Sequence, residues 1–442
     1  MLLEFRTKNY KSFVDETVFS MTAAPKQKGL DYSLLIERIK GKNIKGLCSS
    51  VIYGPNAAGK TNIIGAMDTF RAIVLRGNIR NSEEKTTLNP AANALELIPN
   101  NNARCSEPVL FSIDFIENSL LIHYSINLDL GCFLDDTYSR KVLKEELYVN
   151  GEKIFLREDG LSFGNLKSIK NYLVDTTYQN EKSVIEISRN SLNDEELFLT
   201  NGFKLIFSQN FVKLITEWFA KKFMVIYRAD SMQLIKRFVD PQKQTVYVEK
   251  TTNNAARLFG INSNALGYVI SDDEEDAKLC SIFEDIKDQK RAAMAAEIFE
   301  SYGTIRFVNM FPLVIRAILT GGTLVVDEFD ASIHPMALMS IINIFHNDDI
   351  NIKHAQLIFN THNPIFLNSN LFRRDEIKFV ERDEDAHNSV VYALSDFGTT
   401  GEKGVRKHED YMKNYFISQY GAIKDIDFTP IFEELISQER EV

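Results

Sequence analysis

Cysteine is scarce in this sequence. The four cysteines among 442 residues are widely separated: Cys48, Cys105, Cys132 and Cys280. No two of them have the spacing of ligands in a zinc site, so the sequence predicts no cysteine-based metal centre. We expect reduced thiols that are mostly buried.

Long apolar runs are also missing. Hydrophobic residues make up 44% of the chain, yet no stretch approaches eighteen uninterrupted apolar residues, so we expect no membrane-spanning helix. Residues 1–21 alternate like a strand and carry charges, unlike a signal peptide. These features predict a cytoplasmic protein that makes no use of a membrane.

An excess of positive charge is lacking as well. The net charge is −10, which is unusual for a protein whose whole surface grips nucleic acid. A local basic groove is still compatible with this charge. The composition therefore argues against DNA as the default partner and leaves DNA binding open.

The hydrophobic pattern predicts an antiparallel β lobe. Residues 1–20 alternate as two strands around a polar turn at Lys8–Ser12. Residues 109–156 alternate in the same way, and Asn150-Gly151 is a pair favoured in tight hairpins.

A largely helical region follows the lobe. Residues 190–240 and 253–300 both suit helices, and the acidic run Asp272–Asp276 suits a solvated helix start. No heptad pattern lasts beyond about three turns. We therefore predict a compact helical insertion and no long coiled coil.

Three short apolar runs end in polar residues, at 47–53, 323–330 and 355–360. This pattern is typical of parallel strands whose carboxyl ends form a site. The first run leads through a glycine-bearing loop into a helix, Thr61–Leu75. The arrangement is that of an α/β protein.

A phosphate-binding loop follows the first run. Its sequence, GPNAAGKT, matches G-x-x-x-x-G-K-[ST] at every required position. Glycines let the backbone wrap a polyphosphate, and the following helix directs its positive end at it. Lys60 would reach the β and γ phosphates of ATP, and Thr61 would bind Mg²⁺. The predicted nucleotide contacts are Gly54, Pro55, Asn56, Ala57, Ala58, Gly59, Lys60, Thr61 and Asn62.

A second apolar strand ends in two carboxylates, in the sequence LVVDE at Leu324–Glu328. Alone, this pattern equally suits a buried strand with a polar end. After a complete phosphate loop it predicts that Asp327 holds Mg²⁺ through water and that Glu328 orients the attacking water.

A third motif, ESYGTIR at Glu300–Arg306, precedes that strand by just over twenty residues. A serine hydroxyl, a glycine amide and a helix N-terminus together make an anion site. We expect Ser301, Gly303, Thr304 and Arg306 to contact the nucleotide of an opposing copy of the chain.

Two further loops are candidates for the predicted nucleotide site. Asp330–Pro335 directly follows the carboxylate pair, and its His334 more often has a structural or inter-subunit role than a catalytic one. His362 follows the next apolar strand, where a histidine would bond the γ-phosphate and assist catalysis.

In this order, the motifs resemble the RecF- and OLD-like branch of ABC ATPases. The tail sequences YALSDF (392–397) and YGAI (420–423) also resemble stand-alone AAA-type ATPases of bacterial defence loci. That group includes RloA-like proteins and the AriA ATPase of the PARIS anti-phage system. The likeness covers nearly the whole chain and implies ATP and Mg²⁺ as ligands.

The resemblance suggests five parts. They are an N-terminal part of the ABC ATPase core (1–76), the β lobe (77–190), the helical insertion (191–299), the C-terminal part of the core (300–375), and a strand and helix tail (376–442).

The resemblance also implies a function. We expect slow, regulatory ATP hydrolysis by a homodimer or higher oligomer joined through its nucleotide sites. The ATPase would act as sensor and scaffold for a separate toxic effector, such as a nuclease, in abortive infection triggered by a phage protein.

Two features depart from related families. Tyr302 replaces the second glycine of a transporter signature, which speaks against a transporter subunit. Residues 77–107 contain no glutamine, so the usual Mg²⁺-sensing residue is not assigned.

Two alternatives are weighed against this reading. A C-terminal TOPRIM nuclease would use Glu381 and Asp425-Ile426-Asp427, but no glycine follows Glu381 and only fifteen residues follow Asp427. A RecF-like DNA-repair ATPase would need a basic stripe, for which the sequence offers Arg373-Arg374 and Lys403–Lys407.

Overall fold

The structure is a computed structural model, and it describes most of the chain. The described residues are 1–25, 27, 29–80, 95–101, 107–134, 138–173, 181–190, 192–227, 245–248, 250–258, 260, 261, 263, 265–269, 278–284, 291–399, 404–406 and 409–440. The acidic run Asp272–Asp276 and the ends of Lys403–Lys407 lie outside them.

A six-stranded sheet carries the three predicted apolar runs. Its strands are β5 (Ser49–Tyr53), β11 (Phe223–Ile226), β16 (Thr323–Val326), β17 (Gln356–Asn360), β18 (Ile377–Arg382) and β19 (Ser389–Ala393). The order is β11-β16-β17-β5-β18-β19, parallel except for β19. The carboxyl ends of the five parallel strands therefore meet at one edge, which is where open α/β sheets bind ligands.

The predicted β lobe is a seven-stranded antiparallel sheet. Its strands are β1 (Leu2–Lys8), β2 (Thr17–Ser20), β6 (Val109–Glu117), β7 (Leu120–Asp129), β8 (Lys141–Val149), β9 (Glu152–Arg157) and β10 (Leu161–Phe163). The order is β10-β9-β8-β7-β6-β1-β2. Asn150 and Gly151 both have positive φ, 53° and 80°, as a two-residue hairpin of this type requires. A separate hairpin joins β3 (Leu34–Ile39) and β4 (Lys42–Leu47).

Helix α1 (Lys60–Arg76) connects the two large sheets. On the lobe side, Phe70 stacks on Phe111 and Tyr124, with ring centroids 5.8 and 5.9 Å apart. Val325 and Ile358 of the six-stranded sheet belong to the same hydrophobic cluster. A shared core of this kind holds the lobe and the six-stranded sheet together.

The insertion is only partly helical. Helix α2 (Glu181–Asn190) lies just before it, within the range predicted for the β lobe. The described part of the insertion contains α3 (Lys204–Ile206), α4 (Gln209–Glu217), α5 (Lys250–Arg257), α6 (Ala296–Phe299) and strands β12 (Thr245–Tyr247), β13 (Ala265–Val269), β14 (Lys278–Glu284) and β15 (Arg291–Ala295). The four strands form an antiparallel sheet. The helical prediction for 253–300 is therefore wrong at 265–269, 278–284 and 291–295, because pairing between the strands outweighs the local preference of Ala, Lys and Glu for helix.

Two predicted boundaries are also corrected. Strands β1 and β2 belong to the lobe sheet, although residues 1–76 were assigned to the core. Strand β18, assigned to the tail, lies directly beside β5 in the six-stranded sheet. In both cases, hydrogen bonds to strands far away in the sequence determine which sheet the strand joins. A local sequence pattern carries no information about such pairing.

The remaining helices are α7 (Tyr302–Thr320), α8 (Pro335–Phe345), α9 (Tyr411–Phe416) and α10 (Thr429–Arg440). At 19 residues, α7 is the longest helix of the described residues, which confirms that they contain no long coiled coil. It is also the helix there that could cross a membrane by length and composition alone. Its side chains Val308, Met310 and Val314 are buried in the hydrophobic cluster that covers the six-stranded sheet.

Candidate nucleotide site

The phosphate loop connects β5 to α1 with very little free space. A Cβ at Gly54 would lie 2.3 Å from the Val380 carbonyl oxygen. Gly59 has φ +113°, and a Cβ there would lie 2.7 Å from the Ser389 hydroxyl oxygen. Glycine is therefore required at both positions of the motif for a steric reason.

Side chains from both ends of the chain hold this loop. The Ser389 hydroxyl donates to the Ala58 carbonyl at 2.6 Å, and the Ser389 amide donates to the Ser12 carbonyl at 2.7 Å. The Asn62 side chain donates to the Ser12 hydroxyl oxygen at 2.8 Å. The Asn62 side chain therefore secures the loop, and the nucleotide contact predicted for Asn62 stays a prediction. Ser12 and Ser389 carry no motif and were not predicted.

Lys60 is buried and turned onto its own loop. Its ammonium donates to the carbonyls of Gly54 at 2.7 Å and Pro55 at 2.9 Å. Burial lowers its pKa to about 8, against the opposing influence of the Asp327 and Glu328 carboxylates. Hydrogen bonds from an ammonium to negatively charged phosphate oxygens are stronger than those to neutral carbonyls. Lys60 would therefore be stabilised by exchanging these carbonyls for the phosphates of a nucleotide.

Oxygen ligands suited to Mg²⁺ converge beside Lys60. The Thr61 hydroxyl donates to Asp327 Oδ1 at 3.1 Å, and the Asn360 amide donates to the same oxygen at 2.6 Å. Asp327 is 3% exposed. A hydroxyl and a buried carboxylate are hard donors of the kind that Mg²⁺ prefers. These residues fit the predicted metal ligands, and Asn360 is an addition that the sequence analysis did not assign.

Glu328 is exposed, and its backbone is held on both sides. Its amide donates to Asn360 Oδ1, and its carbonyl accepts a hydrogen bond from Arg306 Nη2. Its φ of 50° lies in the left-handed region, which costs a non-glycine residue about 1–2 kcal/mol. Asn360 and Arg306 therefore stabilise an unfavourable backbone that leaves the Glu328 carboxylate facing solvent.

The loop after β17 is attached to the loop after β16. The Thr361 hydroxyl donates to Asp330 Oδ2 at 2.6 Å, and the Tyr53 hydroxyl donates to the Asn363 carbonyl at 3.0 Å. Between them, His362 is exposed. Burial, with a further contribution from the positive charge of Lys60, lowers its pKa. This shift favours the neutral form of the His362 imidazole.

Ser301 begins α7 on the molecular surface. Its hydroxyl oxygen accepts a hydrogen bond from the Thr304 amide at 3.1 Å, and both Ser301 and Tyr302 are exposed. A Cβ at Gly303 would lie 2.2 Å from the Ser332 carbonyl oxygen, so this helix start packs tightly on the loop after β16. Ser301 is free to face a second molecule.

Thr304 and Arg306 do not share that exposure. Both are buried, and the Thr304 hydroxyl lies 2.8 Å from the Ser301 hydroxyl. Arg306 contacts the Glu328 carbonyl of its own chain. The prediction that Arg306 contacts an opposing nucleotide is corrected, because a turn of about 140° along the helix separates Arg306 from Ser301. The same contact for Thr304 stays a prediction.

The remaining candidates have local roles. His334 Nδ1 accepts a hydrogen bond from the Met336 amide at 3.3 Å, which caps α8. Glu381 accepts from the Tyr392 hydroxyl at 3.2 Å, and Asp427 accepts from the Thr429 amide at 2.8 Å. Because β18 belongs to the six-stranded sheet, Glu381 does not begin a separate nuclease domain.

The parallel sheet, the glycine loop on β5 and the carboxylates after β16 define the class: a P-loop ATPase of the ABC type, with a β lobe. Residues 49–368 match the family described as "AAA domain, putative AbiEii toxin, Type IV TA system". The match covers well over half of the chain, and the chain belongs to this family. A comparison with curated proteins gives no match.

Solved structures with a similar arrangement are heads of SMC proteins. The SMC head domain from Thermotoga maritima is 14% identical, with a TM-score of 0.35, and the alignment covers 89% of this chain and 98% of that one. An SMC head bound to the C-winged helix domain of ScpA is 12% identical, with a TM-score of 0.37 and coverages of 89% and 97%. A head from Pyrococcus furiosus with an extended coiled coil, bound to the C-terminal domain of ScpA, is 11% identical, with a TM-score of 0.34 and coverages of 89% and 96%.

Proposed function

We propose that the chain binds and hydrolyses ATP with Mg²⁺ between two copies of itself. One observation carries the proposal: Thr61, Asp327, Asn360 and Glu328 form a connected set of hydrogen bonds at one sheet edge, and the Lys60 ammonium is bonded to carbonyls of the adjoining phosphate loop. The exposed Ser301 contacts none of these five residues. A second copy would bring its own Ser301 to the first copy's phosphates.

Each residue has a defined part in this reaction. Lys60 neutralises phosphate charge, and Thr61 and Asp327 hold Mg²⁺, which supplies further charge neutralisation when bound. The Glu328 carboxylate orients and polarises the attacking water. The neutral His362 donates or accepts a hydrogen bond at the γ-phosphate. Ser301 of the second copy adds a hydroxyl and a helix N-terminus to the same anion.

The sharing of the site between copies can be tested by mixing two inactive variants. Lys60→Ala and Ser301→Asp chains should each lack ATPase activity. A random mixture should regain about a quarter of the wild-type rate, because half of its dimers keep one intact site of two. Phosphate release measures this rate. A mixture that stays inactive, or a fully active Ser301→Asp chain, would contradict the shared site.

Within the cell, this ATPase would act in the cytoplasm as sensor and scaffold for a separate toxic effector in anti-phage defence. The resemblance to RloA-like and AriA ATPases supports this role. The description of the matched family, which names a toxin and a toxin–antitoxin system, is in line with it.

The defence role is tested with the chain and its native neighbouring genes. Phage plating on cells carrying this locus should drop relative to cells without it, and Lys60→Ala should restore plating. Lys45→Ala, an exposed lysine on β4, is the matched control and should keep protection. Equal protection by Lys60→Ala would reject a role for nucleotide in defence.

A RecF-like DNA-repair role is the weaker alternative. The basic pair that it would use is buried: Arg373 forms an ion pair with Asp375 at 2.9 Å, and Arg374 donates to the Gly398 carbonyl at 2.6 Å. Neither guanidinium is available to a DNA phosphate. ATP-dependent DNA binding that weakens steeply with salt would favour this alternative.

A further inference from the structure

Glu300 joins the insertion to the helix that begins after Ser301. Strand β15 leads into α6, and the chain then passes through Glu300 and Ser301 into α7. Both linking residues have extended backbone, with φ and ψ of −99° and 157° at Glu300 and −68° and 150° at Ser301. Side chains of successive residues in extended backbone point in opposite directions. The direction of the Glu300 side chain therefore sets the direction of the Ser301 side chain.

The insertion holds the Glu300 carboxylate. Its Oε1 accepts a hydrogen bond from the Ser281 hydroxyl at 2.9 Å and another from the Ser263 hydroxyl at 3.3 Å. Ser281 lies on β14, Ser263 lies just before β13, and both serines are buried. Hydrogen bonds to a carboxylate are stronger than those between neutral groups. The two serines therefore fix the Glu300 side chain in one direction.

Two further contacts attach the same junction to the insertion sheet. The Phe299 ring of α6 packs edge-on against Phe283 of β14, with ring centroids 4.7 Å apart. The Tyr268 hydroxyl of β13 donates to Asn309 Oδ1 of α7 at 3.2 Å. These contacts lie on either side of the Glu300–Ser301 link in the sequence. Both helices that flank the link are therefore attached to the insertion sheet.

The start of α7 is held at two points. On one side, Gly303 packs tightly against the Ser332 carbonyl. On the other side, Glu300 is bonded to the insertion. One point would leave the helix start free to rotate about it, whereas two points fix its orientation. The hydrogen bonds of the Ser301 hydroxyl to Thr304 lie within the helix start and turn with it.

We propose that Glu300 is a positioning residue of the shared nucleotide site, which holds the Ser301 hydroxyl in the direction that the nucleotide of a second copy requires. This role rests on the proposed function, because it places Ser301 in the site of the opposing copy. Glu300 acts through Ser301, since its own carboxylate is bonded to the insertion. A displacement of about 1 Å can lower a catalysed rate about 100-fold. Loss of the Glu300 bonds should therefore slow hydrolysis and leave ATP binding at the Lys60 half unchanged.

The experiment measures phosphate release by the full-length Glu300→Ala chain, alone and in random mixtures. Alone, its kcat should fall about 10- to 100-fold, while its ATP affinity by calorimetry stays at the wild-type value. Mixed with Lys60→Ala, it should regain about a quarter of the wild-type rate, because half of the dimers then pair its intact Lys60 with an intact Ser301. Mixed with Ser301→Asp, it should regain nothing, because both chains are defective in the same half.

Three further variants separate positioning from folding. Glu300→Gln keeps Oε1 as an acceptor for both serine hydroxyls and should retain most of the rate. Ser281→Ala removes one donor, leaves Glu300 in place and should lower kcat about two- to tenfold, with the same response to mixing. Glu297→Ala changes an exposed glutamate on α6 and is the matched control, which should hydrolyse ATP at the wild-type rate.

Each outcome decides the role of Glu300. A Glu300→Ala chain with the wild-type rate would overturn it. A slow chain that Lys60→Ala does not restore, or that Ser301→Asp restores, would place the defect outside the Ser301 half and overturn it as well. Equal slowing by Glu300→Gln would also overturn it, because the amide oxygen still accepts both bonds. The mixture of Lys60→Ala with Ser301→Asp tests the shared site separately. If that mixture is active and the mixture of Lys60→Ala with Glu300→Ala is not, only the role of Glu300 is wrong.

Discussion

The phosphate-loop half and the Ser301 half of the nucleotide site are built differently. In the first half, Lys60, Thr61 and Asp327 are wholly or partly buried and bonded to neighbours in the same chain. In the second half, Ser301 is exposed, and its hydroxyl contacts only its own helix start. The first half is organised by bonds within one chain, and the second, in the proposed shared site, would face another copy.

The difference shows how a single chain can encode both sides of a shared site. Electrostatic preorganisation requires fixed groups, so the half that binds phosphate and metal is rigid and internally satisfied. The half that recognises another copy must remain accessible. Arg306 links them, because it lies on the helix that begins at Ser301 and bonds the Glu328 carbonyl.

The largest effect is expected at the rigid half. Lys60→Ala removes the buried ammonium and should weaken ATP binding roughly 100-fold or more, since charge-assisted contacts to phosphate are lost. Calorimetry measures the affinity, with Lys45→Ala as an exposed lysine control. ATP hydrolysis by Lys60→Ala at the wild-type rate would show that the loop is not the phosphate site.

Glu328→Gln should separate chemistry from binding. The amide retains the shape of the side chain but cannot polarise water, so the rate should fall roughly 10²–10⁴-fold while ATP affinity persists. The variant should accumulate as an ATP-bound assembly, seen as nucleotide that remains with the protein during size exclusion. Rapid loss of nucleotide and a normal rate would remove Glu328 from the mechanism.

Arg306→Lys tests the link between the halves. Lysine keeps the charge but loses the guanidinium that reaches the Glu328 carbonyl, so kcat should fall about tenfold, equivalent to about 1.4 kcal/mol. KM should be unchanged, because Arg306 touches no phosphate. Arg316→Lys, an exposed position on the same helix, is the control. A higher KM with unchanged kcat would instead indicate the nucleotide contact first predicted for Arg306.

Within one pH unit of neutrality the smallest effect is a pH dependence of ATP affinity. Burial lowers the pKa of Lys60 to about 8 in the free chain, and bound phosphate would raise it. The favourable contribution of the ammonium is thus complete below pH 8. Above pH 8 binding must take up a proton, so Kd should increase by up to about tenfold per pH unit. An affinity that stays constant to pH 9.5 would argue against this buried ammonium.

Much of the fold follows from local patterns in the sequence. The β1–β2 pair and the lobe strands alternate, and Asn150-Gly151 marks one of their two-residue turns, so both were predictable. Strands β13–β15 were not, since their residues also suit a helix and their stability comes from pairing. The four-residue strand β11 was hidden next to helical sequence for the same reason.

The residues of the site also fall into those that a local sequence pattern predicts and those that it does not. The phosphate loop and Asp327 were predictable because backbone geometry fixes their spacing within a few residues. Ser12 and Ser389 were not, since their contact joins opposite ends of the chain. Arg306 was assigned to the wrong side because motif spacing places a residue on a helix without stating which direction its side chain takes.

The clamp formed by Ser12 and Ser389 has a consequence during protein synthesis. Strand β5 pairs with β17 and β18, which the ribosome produces some 300 residues later. At about 5–20 residues per second, that delay lasts tens of seconds. A growing polypeptide carries its complete phosphate-loop sequence throughout this period but lacks Ser389. The phosphate loop therefore reaches its fully bonded form only after β18 and Ser389 have been synthesised.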